Sequence, residues 1–326
     1  MKSIRLFLLV FFVSCYSEEN DIQLKYNRFE KDLFVINKHN IESRLLNLKN
    51  NYPDFYDFFQ TEILFVNNVD SQIYHNELLT FINHQDMREA YDSVMIVYSE
   101  INDIKQELNS VFTKIIKFFP THSIPIITTF FGGFNYGVVT YKNNIGIGLE
   151  NFLGFKSKFY RLLEEPNYLR FQKQKKYISP NVVEAWCNMH FDKYHVGQDL
   201  LSNIIYKGKI MFLMSKVFSD DFSIEDRFRF SKSQLDWVKV NEKNIWSHFI
   251  TNDLLYSNYE RDFRTFINYG PFAKGMPREA PARVGYFIGY RIINDYMRNN
   301  NISMEELFYE TDAKKILNKS KYKPLR

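Results

Sequence analysis

The chain has 326 residues and a formal charge of +4, and it carries 32 Phe and 22 Tyr against only 12 Gly and 9 Pro. A chain so rich in rings and so poor in breakers can bury a large core, which excludes intrinsic disorder and points to a packed, mostly helical body. Setting aside the two N-terminal cations Lys2 and Arg5 takes +4 to +2, too little for the electrostatic footprint of a nucleic-acid binder, so no nucleic-acid partner is expected.

The N-terminus opens with Lys2 and Arg5, an apolar block from Leu6 to Val13, and Ser14 directly before Cys15. That block falls well short of the about 20 apolar residues a spanning helix needs. Charge, apolar core and small residue stand in the order of a secretory signal. Phe12-Val13-Ser14-Cys15 resembles a bacterial lipobox, with Phe12 where an aliphatic residue is usual. The expected organisation is a signal peptide over residues 1–14, a lipidated N-terminus and tether over 15–27 with acyl chains on Cys15, and one mostly helical domain over 28–326. Two or three acyl chains hold a protein to a membrane almost permanently, whereas one holds it marginally. The second of the two cysteines is Cys187; a disulfide framework is therefore excluded, and burial of a lone thiol accounts for it, although one bridge stays open if Cys15 is not acylated.

Helical periodicity begins near Arg28 in RFEKDLFVIN, which places Phe29, Leu33, Phe34 and Ile36 on one side. IESRLLNLKNNYPDFYDFFQTEIL continues it with a break at Pro53; SQIYHNELLTFINH and the long MREAYDSVMIVYSEINDIKQELNSVFTKIIKFF follow, the last ending before Pro120. The character then changes. IPIITTFF, GVVTYK and NIGIGLE are short β-branched runs set apart by Gly-Gly and Lys-Asn-Asn, which predicts a small antiparallel sheet near residues 124–149 with a hairpin turn at Gly132-Gly133. Helix returns in SPNVVEAWCNMHFDKYH, where Ser179 and Pro180 read as N-cap and first turn, in DLLSNIIYKGKIMFLMSKVF, in FSKSQLDWVKVNEKNIWSHFI, in APARVGYFIGYRIINDYMRNNN and around MEELF. The fold class is α+β and predominantly helical.

Candidate chemistry concentrates on HFDKYH. A zinc-protease helix sets its histidines four apart so that both rings leave one face, with a glutamate beside the first. His190 and His195 are five apart and the neighbour is Phe191; five positions turn the second ring about 140° from the first. Asp192 points away as well, and Glu184, six before His190, fares no better. Gly285 and Gly289 form a small-xxx-small pair suited to close helix packing. No phosphate loop, Gly-x-Ser-x-Gly elbow or Cys-x-x-Cys pair occurs. The residues therefore offer no catalytic, cofactor or metal site. An aromatic cleft around Trp186, Trp237 and Trp246 is a third possibility, for glycans or peptides.

Several segments in order, the lipobox-like start, RFEKDLF, IGIGLENFLG, YISPNVVEAW, IIYKGKIMFLM and ARVGYFIGYRIINDYMRNNNISMEEL, resemble the gliding-motility lipoprotein family GldB of Bacteroidetes. The resemblance spans the mature chain. It implies a lipid-anchored, non-enzymatic accessory of the gliding and type IX secretion apparatus, facing the periplasm in the cell envelope, with other envelope proteins as partners. A more distant similarity, in the small sheet, the helix after it, IIYKGKIMF and GYFIGYRIINDYM, is to a group of predicted zinc peptidases. Their helix before the Lys-Gly-Lys-like segment carries metal-binding histidines, and an acidic residue stands near the position of Lys207. Here an ammonium replaces that carboxylate, which raises the cost of placing a cation beside it. The two resemblances imply a zincin-like scaffold without an intact metal motif, and the enzyme alternative is a divergent zinc metallopeptidase using His190 or His195.

Overall fold

The computed structural model of the chain describes residues 22–66 and 71–324, so Cys15 and the signal lie outside the described residues. The first of these residues are already held by the body: the Ile22 amide donates to Thr113 Oγ1 (2.8 Å) and the Leu24 amide to Asn109 Oδ1 (3.1 Å), and Leu24 is buried. Strand β1 (Tyr26–Arg28) follows and turns into helix α1 (Phe29–Leu33). Glu30, fully buried in that first turn, accepts from Arg28 Nε at 2.5 Å and from Thr129 Oγ1 at 2.7 Å, so its charge is paired rather than stranded.

Helices α2 (Ile41–Asn51) and α3 (Pro53–Phe58) come next, separated at Tyr52 because Pro53 has no N–H to continue the ladder and fits a first turn instead. Past α4 (Ser71–Asn83), the long amphipathic stretch is two helices, α5 (Gln85–Val97) and α6 (Asn102–Phe118). The break at Tyr98 serves packing: its ring is buried and its hydroxyl donates to the Phe152 carbonyl at 2.6 Å.

The sheet corrects the antiparallel expectation. Among the described residues it has four strands in the order β1-β2-β4-β3, with β2 Ile127–Phe130, β3 Val138–Tyr141 and β4 Asn144–Gly148. β1 runs parallel to β2 (Tyr26 opposite Ile127), β2 parallel to β4 (Ile127 opposite Ile145), and only β3 is antiparallel (Val138 opposite Ile147). β2 is buried at every position, and a strand covered on both faces shows no alternation from which pairing could be read. β3 and β4 are joined by a tight turn at Lys142, whose backbone is left-handed (φ 49°). Gly132-Gly133 is not a hairpin turn, because β2 and β3 are not neighbours; this loop carries the chain past the place that β4 fills.

Two short helices, α7 (Lys158–Leu162) and α8 (Asn167–Arg170), lead into α9 (Ile178–Phe191). Ser179 is inside α9 rather than its cap, since the helix starts one residue earlier. The remaining helices are α10 (Leu200–Val217), α11 (Ile224–Phe228), α12 (Lys232–Val240), α13 (Glu242–Thr251), α14 (Glu260–Ile267), α15 (Val284–Asn299), α16 (Met304–Tyr309) and α17 (Ala313–Ser320). α10 and α15 cross in the core at glycines. A Cβ on Gly289 would stand 1.8 Å from the Ile204 carbonyl oxygen, and one on Gly285 2.7 Å from Ile204 Cγ2. The small-xxx-small pair is thus a packing seam, and it brings α15 against the face of α10 beside Lys207.

Candidate functional site: a cationic cleft beside the sheet edge

A cleft of about 760 Å³ opens between the free edge of β3 and helices α9, α10 and α15. Glu184 and Asn188, one helical turn apart on α9, both line it with Ala185 between. α10 contributes Lys207, and α15 contributes Tyr286 together with Arg283 immediately before its first turn. Arg229, just after α11, and Tyr269, after α14, complete the charged wall.

These groups converge on one carboxylate. Glu184 Oε1 accepts from Lys207 Nζ at 2.9 Å and from the Tyr286 hydroxyl at 2.8 Å, while Oε2 accepts from Arg229, whose other terminal nitrogen donates to Asn181 Oδ1 at 2.6 Å. Burial on its own raises a carboxyl pKa; Lys207, Arg229 and Arg283 outweigh it and hold Glu184 well below the usual carboxylate range. Burial likewise disfavours the Lys207 ammonium, and the neighbouring Tyr286 and Glu184 oxygens more than offset it, so Lys207 stays charged. The Arg283 guanidinium lies between two rings, 3.9 Å from the centre of Tyr286 and 4.4 Å from that of Tyr269, and donates to the Phe228 carbonyl at 3.2 Å.

Among the described residues the charges of the cleft do not balance. Three cations face one carboxylate, and the other lysine of the cleft, Lys173, is already matched by Glu165 at 2.8 Å. Arg229 and Arg283 are 1% and 2% exposed, yet Arg229 Nε and Arg283 Nη2 have no hydrogen-bond partner among the described residues. Both arginines also hold left-handed backbones, φ 56° and 66°, which costs an L-residue about 1 kcal/mol or more. Glycine ordinarily takes such positions. Two buried, under-bonded arginines with left-handed backbones thus stand on one cleft wall.

The candidate pair His190 and His195 is split between two elements. His190 ends α9, with its ring 4.9 Å from His122 and 4.8 Å from Trp186; burial, then His122 and Lys193, push its pKa down to about 4. His195 is not on that helix at all: α9 stops at Phe191, Asp192–Tyr194 form a 3-10 turn, and His195 beyond it stacks on Tyr206 at 4.8 Å and meets Asn203 Oδ1 at 3.3 Å. Among the described residues no group of three or more His, Cys, Asp or Glu side chains is placed to hold a metal ion. Nor do the tryptophans form a cleft, since Trp186 is core while Trp237 and Trp246 pack against the core from α12 and α13. Cys187 is buried on α9, and burial keeps its thiol protonated. Sequence reasoning missed Arg229, and Arg283 with Tyr286, which lie in two segments far from Glu184 in the chain; the four-residue spacing of Glu184 and Asn188 was the visible signal.

The family model of gliding motility protein GldB matches residues 15–324. The chain belongs to the GldB family. Membership associates it with gliding motility and the cell envelope. No match was found among curated proteins or among solved structures. No helix among the described residues is long and apolar enough to cross a membrane.

Proposed function

We propose that the chain is a lipoprotein held to a membrane of the cell envelope through acylated Cys15, and that it serves gliding motility and the associated type IX secretion machinery as a non-enzymatic component that binds through the cleft. The observation that carries the reading is the occupancy of the cleft centre. A zinc helix would set two ligands four residues apart on its cleft face and draw a third from elsewhere. Here those positions hold Glu184 and Asn188, and the carboxylate is already neutralised by Lys207 and Arg229. The single antiparallel edge strand running beside α9, with α10 carrying Lys207, supports a zinc-peptidase-like scaffold whose cation is built into the chain. A zinc ion there would meet ammonium and guanidinium groups instead of a full set of ligands.

The anchor also constrains geometry. Ile22 is already bonded to α6, so the seven residue steps from Cys15 reach at most about 25 Å. The body sits against the bilayer rather than on a long leash. Replacing Cys15 by Ala in cells is expected to shift the protein to the soluble fraction and to abolish colony spreading. Membrane retention with normal processing would remove the anchor from the account, and peptide hydrolysis by the purified protein would remove its non-enzymatic half.

A further inference from the structure

Among the described residues the cleft carries an excess of two fixed positive charges, two buried guanidinium nitrogens without acceptors, and a wall of side-chain amides that includes Asn135, Asn151 and Asn268. A guanidinium left short of an acceptor in a buried site is costly, and a planar two-oxygen anion satisfies it best. The positive end of the α15 dipole adds to the field, because Arg283 stands at the N-terminus of that helix. Alongside lies β3, the edge of the sheet, whose first residue, Val138, lines the same cleft together with Gly137 just before it. An unpaired strand edge is a template for an extended main chain.

We propose that the cleft captures an extended peptide by a carboxylate, the peptide lying along β3 and its carboxylate bound by Arg283 and Lys207. This deepens the reading of the cleft as a non-catalytic binding site and rests on it. Lys207 and Tyr286 hold Glu184 on one side, so the incoming anion completes Arg283 without displacing the internal carboxylate. The Tyr269 ring, 4.4 Å from the Arg283 guanidinium, holds that side chain in place for the pairing. A C-terminal carboxylate and an Asp or Glu side chain present the same chemistry. The volume admits several residues in either case.

The test uses full-length protein in detergent micelles, immobilised and exposed to random hexapeptides prepared with a free C-terminal carboxylate or as the amides, with retained peptides read by mass spectrometry. Free-acid peptides are expected to be enriched roughly tenfold or more over amides, as one lost charge-assisted pair implies. Enrichment should vanish in Arg283→Gln and fall in Lys207→Gln; the second variant, at a less buried residue, keeps the test alive if the first does not fold by near-ultraviolet circular dichroism. Retention that follows Asp or Glu content in both preparations also supports the proposal and assigns the side chain as the source. Retention indifferent to carboxylates overturns it, as does binding of inorganic phosphate or glucuronate without peptides. Intact but unretained peptides sink this inference alone, whereas cleaved peptides sink the non-catalytic reading beneath it.

Discussion

Gly208 of α10 and Gly289 of α15 meet backbone to backbone: a Cβ on Gly208 would lie 2.3 Å from the Gly289 carbonyl carbon. This contact sets how closely the two helices cross, and so brings Lys207, one residue before Gly208, and Tyr286, one turn before Gly289, onto the same Glu184 oxygen. Packing and site are one construction.

Because the clash is with backbone, neither helix can yield by rotating a side chain. Gly289→Ala is therefore expected to cost about 3 kcal/mol or more, or to prevent folding, as read by chemical denaturation. Gly270→Ala is the control. Its Cβ would meet nothing nearer than 3.4 Å, and its cost should stay below about 1 kcal/mol.

Removing the acid from the ion cluster should cost more than removing one of its cations. Glu184→Gln leaves Lys207, Arg229 and Arg283 facing one another and is expected to destabilise by about 3 kcal/mol. In Lys207→Met the carboxylate keeps Arg229 and Tyr286, so a loss nearer 1 kcal/mol is expected. Glu184 has a depressed pKa, so its contribution is present above the ordinary carboxylate range and is lost as pH falls through its folded value. Acid denaturation of Glu184→Gln should accordingly begin from a lower plateau and show a shallower slope below about pH 4. Equal losses in the two variants would contradict the cluster as described.

Glu150 works in the opposite direction. It is fully buried where the loop after β2 turns back, and it accepts the amides of Gly132 (2.7 Å) and Phe134 (3.1 Å) through one oxygen while the other has no partner among the described residues. Burial raises its pKa from 4.5 to about 7, against those two amides and Lys173. The native state thus binds a proton that the unfolded chain has released, and stability declines as pH rises from about 4.5 to about 7, by up to about 3 kcal/mol. Glu150→Gln keeps the acceptor and places a donor at the unpartnered position. It should flatten this slope, raising stability at pH 8 while leaving pH 5 nearly unchanged; a variant with the wild-type slope would show that another group titrates.

Cys187, buried with its thiol held protonated, should resist thiol reagents in the native protein and react fully in denaturant. A fast native reaction would mean that α9 opens away from its neighbours. The same measurement on Cys187→Ser gives the baseline.

How much of this was legible in the chain follows from the reach of each interaction. Helices with a clear apolar stripe, such as α6 and α15, could be read directly, because their burial pattern repeats along the sequence. β1 could not: three residues, Tyr-Asn-Arg, carry no period, and only Ile127 to Thr129 across the sheet make them a strand. Its parallel pairing, and the insertion of β4 between β2 and β3, depend on partners far away in the chain. His190 and His195 were separable on spacing alone, and the structure puts them on different elements by ending α9 between them.

What the sequence by itself determined is what local chemistry encodes: a helical body with a small sheet, a lone interior thiol, two glycines for a close crossing, and an order of segments specific enough to show a family. What tertiary structure alone decided is the site. Glu184, Lys207, Arg229, Arg283 and Tyr286 span about a hundred residues of chain, and no spacing rule links them. Electrostatics acts through space, so a charge cluster is set by which helices cross, and that crossing depends on the whole core closing at once.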